Sequence, residues 1–134
     1  MITVKWLFEP IYKTNYYFIV CPHQGDFVKT IKRDYNIELE QSENVSARTA
    51  MIRQGNSTIV FVWVKNNKSF SELGHELIHV ITFLFDGIDS RITFDNSEPV
   101  AYLFQYLYEQ FMDKRGWKIK ISRSEKRKNH KKAK

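Results

Sequence analysis

His75, Glu76 and His79 stand in the run HELIH, two histidines four residues apart with a glutamate directly after the first. On a helix, positions i and i+4 are neighbours on one face, so the two imidazoles can aim their ring nitrogens at a single point. That point suits Zn²⁺, which takes neutral imidazole and prefers four ligands in a tetrahedron. Glu76 is rotated by about 100° from His75 on the 3.6-residue period, so it flanks such a metal and does not ligate it. From there its carboxylate can hold a metal-activated water and take its proton. The competing reading is an apolar helix whose two histidines are satisfied by local hydrogen bonds.

Two protein ligands rarely make an adequate zinc site, so a third donor is required. Glu98 is the best placed, eighteen intervening residues after His79 at the start of the next expected helix, where an antiparallel return can carry it over the HELIH face. Asp95 is the runner-up, whereas Asp86 and Asp89 follow too closely on the first helix to reach back. Hydrolysis also needs a donor for a tetrahedral oxyanion, and Tyr102, Tyr106 and His23 are the candidates. Asp95 or a backbone carbonyl is available to accept from the imidazoles.

The elements that must position these residues follow from patterning. Residues 2–8 and 15–21 are β-branched and aromatic runs and predict a strand pair. Residues 26–35 carry apolar side chains at helical spacing, with Asp26 as the expected N-cap. Residues 44–53 and 57–65 predict a second strand pair about the turn Gln54-Gly55-Asn56, and the second run, apolar on both faces, predicts a central strand. Ser69 and Glu72 have capping-box spacing before a helix from Phe70 to about Phe85 that stops near Gly87. Leu73, Leu77, Val80, Ile81 and Leu84 form its core stripe, and His75, Ile78, His79 and Thr82 a separate face. Gly74 is expected to let this helix approach the sheet closely. After a polar linker at 86–96 with a brief extended piece at 91–94, a helix begins near Pro99 and runs to about Arg115 before Gly116. Its core stripe is Val100, Leu103, Phe104, Leu107 and Phe111, and WKIKI at 117–121 alternates as a further strand would.

With these elements around it, HELIH resembles the zincin metallopeptidase signature, and a glutamate on the following helix resembles the gluzincin ligand set of two histidines and one glutamate. Thermolysin-like enzymes carry an acid four residues after the third ligand; Tyr102 holds that place here, a departure. Glu98-x-x-Ala101-x-x-Phe104 looks more like the small gluzincin-like peptidases of mobile elements that cut phage repressors and radiation-response regulators. The chain is also similar to short phage zincin-like proteins, in which a strand pair leads into the HExxH helix and a second helix follows. The resemblance spans residues 44–112 and is specific at the His-Glu-x-x-His string. It implies an α+β fold with a mixed or antiparallel sheet of about four strands packed on two helices, a zincin-like minimal core. It further implies Zn²⁺ held by His75, His79 and Glu98, Glu76 as general base, and a protein or peptide substrate, while Tyr102 stands as a transition-state stabiliser only on the chemistry given above. A non-catalytic zinc protein that binds a host or virion partner is the alternative.

Composition bounds the rest. A chain of 134 residues holds one core. Its net charge of +6 is local, because residues 123–134 hold seven Lys/Arg against one Glu while residues 1–122 hold fourteen of each sign. The expected organisation is therefore a neutral domain at 1–122 and a flexible basic tail at 123–134, suited to contact nucleic acid or an acidic protein. Cys21 is the only cysteine, which excludes an internal disulfide framework and a thiolate metal cluster and fits a reducing cytoplasm. No run is long enough for a membrane span.

Overall fold

The run STIVFVWV at 57–64 is apolar on both faces of a strand, and the fold supplies helices on both sides of it. A computed structural model describes residues 1–42, 44–88, 93, 95 and 97–120. The elements are β1 (Ile2–Glu9), β2 (Thr14–Val20), α1 (Gln24–Tyr35), β3 (Ala47–Gln54), β4 (Ser57–Val64), α2 (Phe70–Gly87), α3 (Ser97–Met112) and β5 (Trp117–Lys120). The tail at 123–134 and most of the extended piece expected at 91–94 lie outside the described residues.

The fold is mixed α+β. The sheet has five strands and not about four, in the order β3-β4-β2-β1-β5. The extra strand is the alternating WKIK, which pairs antiparallel with β1 from Ile2↔Lys120 to Lys5↔Trp117. β2 and β4 are parallel and every other pair is antiparallel. A parallel pair needs a long crossover, which α1 and β3 supply between β2 and β4.

Alternation along β4 divides the core. Val60, Val62 and Val64 join Leu73, Leu77, Val80 and Ile81 of α2 and Leu103, Leu107 and Phe111 of α3. Phe61 and Trp63 point the other way, to Phe27 and Ile31 of α1. The expected core stripes of α2 and α3 are the ones the fold covers. Trp63 is buried and donates from its indole to the Cys21 carbonyl at 2.9 Å.

Local chemistry sets the element ends. Glu9, buried at the β1–β2 turn, accepts from the Ile11 and Tyr12 N–H groups at 2.6 and 2.8 Å. Gly55 takes a φ of 58° in the two-residue turn between β3 and β4, a conformation that glycine adopts at little cost. Lys5 of β1 reaches across to the end of α3 and donates to the Gln110 and Asp113 carbonyls at 2.5 and 2.9 Å. An ammonium there satisfies helix-end carbonyls and complements the helix dipole.

Four local expectations are corrected. Asp26 is not the N-cap of α1; the helix starts at Gln24 behind His23, and Asp26 falls in its first turn. The Gln24 side chain is drawn into an exchange with Ser42, accepting from its N–H and donating to its carbonyl, which recruits it to the helix start. The capping box at Ser69 does not form, because the Ser69 hydroxyl turns back to Asn66 Oδ1 at 3.2 Å. Gly74 faces the Phe104 ring of α3 and not the sheet, and a Cβ there would sit in ordinary contact at 3.8 Å. α3 ends at Met112, ahead of Arg115, where Asp113 takes up the Arg115 guanidinium in the turn to β5.

Candidate metal and catalytic site

Burial of the leucine stripe of α2 fixes what its other side shows. With Leu73, Leu77, Val80 and Ile81 buried, His75, Ile78, His79 and Thr82 are exposed, and Ile78 leaves 49% of its surface open beside the histidines. The two Nε2 atoms lie 3.0 Å apart with the rings nearly perpendicular, at 76°. A tetrahedral ion holding two imidazoles at about 2.0–2.1 Å sets their nitrogens roughly 3.3 Å apart. At this separation the two rings share a hydrogen bond, and the pair is also within a few tenths of an ångström of the spacing of two corners of a zinc site. The same geometry thus fits the local hydrogen bond and the donor chemistry of the ion.

Glu76 takes the opposite environment. It is only 9% exposed, and Thr49 Oγ1 on β3 donates to its Oε2 at 2.5 Å. A polar group in so little water needs such a partner, because an unsatisfied buried carboxyl oxygen is costly. β3 is the outermost strand on this side of the sheet, so Thr49 ties the glutamate to an edge strand. Thr49 shares the α2-side face of β3 with Ala47 and Met51, which both pack on the same core cluster as α2.

Two open clefts flank this line of contact. One of about 450 Å³ is lined by Thr49, Met51, Glu76, His79, Phe83 and Asp86 among others. Another of about 320 Å³ is lined by Ser46, Ala47, Glu72, His75 and Glu76 among others. Glu76 borders both, so a chain lying along β3 would pass its carboxylate between them.

The remaining expected residues are not gathered here. Glu98 is exposed in the first turn of α3, and among the described residues no three or more His, Cys, Asp or Glu side chains are grouped to hold a metal ion. Asp95, the runner-up, is exposed and likewise joins no such group. Residues 89–92, 94 and 96, which connect α2 to this region, lie outside the described residues. Tyr102 is 67% exposed on α3 and lines neither flanking cleft, and Tyr106 is half-buried against the core. His23 stands at the start of α1, the helix on the other face of the sheet.

Thr49 is the residue that sequence reasoning passed over. Its signal is present in ARTAMIR, where a hydroxyl sits between Ala47 and Met51 on one face of a strand next to a helix. A threonine between two apolar residues on a strand face that packs on a helix needs a partner, and Glu76 is that partner.

No protein-family model matches the chain, and neither a curated protein nor a solved structure matches it.

Proposed function

We propose that this chain is a zinc-dependent metallopeptidase built on a zincin-like core and acting on an extended peptide in the cytoplasm. The observation that carries the reading is the arrangement of HELIH itself. His75 and His79 converge to 3.0 Å on the open face of α2, while Glu76 between them is buried and held by the edge strand. A helix with incidental histidines has no need of a buried, hydrogen-bonded glutamate in register with them.

In this reading His75 and His79 hold the metal and Glu98 supplies the third ligand. Zinc, when bound, polarises the scissile carbonyl and lowers the pKa of water toward neutrality. Glu76 takes the proton of the attacking water through Oε1, since Oε2 is committed to Thr49, and returns it to the leaving amine. The outer edge of β3 offers backbone groups for an added strand, which would hold the substrate extended across the two flanking clefts. Tyr102 is the proposed donor to the oxyanion. No helix among the described residues is long and apolar enough to cross a membrane.

The deciding experiment pairs metal analysis with Glu76→Gln. The parent should carry one zinc per chain and cleave an unstructured protein such as casein; Glu76→Gln should keep the zinc and lose cleavage. A parent that takes up no zinc from a micromolar solution would sink the proposal.

A further inference from the structure

The histidine face is not the only concave surface of this chain. β2 and β4 are parallel neighbours, yet the chain leaves them for opposite faces of the sheet, from β2 to α1 and from β4 to α2. Such a divergence opens a crevice beyond the carboxyl ends of the strands, where sheets of this kind take small ligands. Here it is a cavity of about 640 Å³, within the roughly 300–1,000 Å³ span of small-molecule sites.

Its lining has a definite chemistry. Phe70 at the start of α2, Phe111 and Met112 at the end of α3 and Trp117 of β5 give it apolar walls. Phe70 and Met112 leave 47% and 37% of their surface open, so the fold itself does not cover them. The charged side chains of the lining are Lys65 and Lys114, and no acid lines the cavity. Both lysines are exposed, and neither ammonium enters an ion pair with another described residue. Asp113, next to Lys114, is engaged by Arg115 and does not neutralise them.

We infer that this cavity binds a small amphipathic anion, with an apolar body against Phe70, Phe111, Met112 and Trp117 and a carboxylate or phosphate head held by Lys65 and Lys114. Apolar walls disfavour a small, strongly hydrated anion on its own, and two unpaired cations disfavour a purely apolar guest. The site draws on none of the residues of the histidine face, so it stands or falls independently of peptidase activity.

Calorimetric titration of the full chain with decanoate, decyl phosphate and decan-1-ol tests it. At least one of the two anions should bind saturably at one per chain, and the tighter of them identifies the head group. Decan-1-ol should bind at least about tenfold more weakly, as should the tighter anion to the double variant Lys65→Ala/Lys114→Ala, tenfold being the least expected when one of the two charge-assisted contacts is lost. Met112→Glu, which sets a negative charge at an exposed wall position, should weaken the anion similarly. No binding of either anion at about 1 mM overturns the site. Equal binding of the alcohol, or an affinity unmoved by the lysine pair or by Met112→Glu, overturns the inference as well.

Discussion

Thr49 Oγ1 donates to Glu76 Oε2 at 2.5 Å, so the outer strand of the sheet holds the one acidic residue of HELIH. α2 is thereby positioned twice. Its apolar stripe presses it on the sheet through Leu73, Leu77 and Val80, which sets the depth of the helix. The Thr49 bond adds a polar tie that sets its rotation, and with it the direction in which His75 and His79 open.

Replacing Thr49 by valine should therefore cost more than the loss of one hydroxyl. The shape is kept, but a carboxylate with 9% exposure loses its donor, a penalty of about 1–3 kcal/mol for an unsatisfied buried group. Thr49→Ser restores the donor and should recover most of that loss, apart from the missing methyl. Urea denaturation of the three proteins measures this. Equal stability of Thr49→Val and the parent would show that Glu76 finds another donor.

How much of this was legible beforehand differs by level. The strands, both long helices and their buried faces could be read because each leaves a mark in its own segment: a continuous β-branched and aromatic run for β4, a spacing of three to four for Leu73, Leu77, Val80 and Leu84. The face that presents His75 and His79 follows from the same helical period. Pairing order could not be read, since it depends on contacts between β2 and β4 across more than thirty-five residues of intervening chain. The start of α2 at Phe70 behind Ser69 was legible, but its capping bond was not, because Asn66 takes the Ser69 hydroxyl. The start of α1 was placed too late, at Asp26, because Gln24 joins the helix while its side chain pairs with Ser42. Thr49 escaped for a related reason: a cross-element hydrogen bond leaves no periodic mark in either partner's own segment.

The histidine pair yields a prediction about ligand-linked stability. A metal that binds the folded chain alone raises its stability by about 2.7 kcal/mol at a hundredfold excess over Kd. Zinc should therefore raise the melting temperature of the parent and leave His75→Ala/His79→Ala unmoved. Glu98→Gln should reduce the zinc-dependent rise if its carboxylate is the third ligand, and Asp95→Asn should not. The reverse pattern would transfer that role to Asp95.

Cys21 provides a pH-dependent signature unrelated to the site. Burial pushes its thiol up to about 11 from an ordinary value of 9.0. The folded chain thus holds the proton more tightly than the unfolded one, so this contribution to stability is intact below about pH 9 and is lost as pH rises through about 11. Cys21→Ala should flatten the alkaline limb of the stability curve in that window. At pH 8 the native thiol should react with a disulfide reagent at least about a hundredfold more slowly than the chain in guanidinium, because reaction requires opening of the core.

Arg53 and Gly87 couple the far end of β3 to the last turn of α2. The Arg53 guanidinium lies 4.1 Å from the centroid of the Phe83 ring and donates to the Phe83 carbonyl at 2.8 Å. It does so by occupying the space over Gly87, where an added Cβ would meet the guanidinium. Alanine in a helix is favoured over glycine by up to about 1 kcal/mol, so Gly87→Ala alone should stabilise if nothing stands in its way. In the parent that gain should be cancelled by displacement of Arg53, whose ring contact contributes about 0.5–1 kcal/mol. In an Arg53→Ala background the obstacle is gone and Gly87→Ala should stabilise by about 0.5 kcal/mol or more. A double-mutant cycle in urea reads the difference directly. The same effect of Gly87→Ala in both backgrounds would mean that Arg53 does not rest on this glycine in solution.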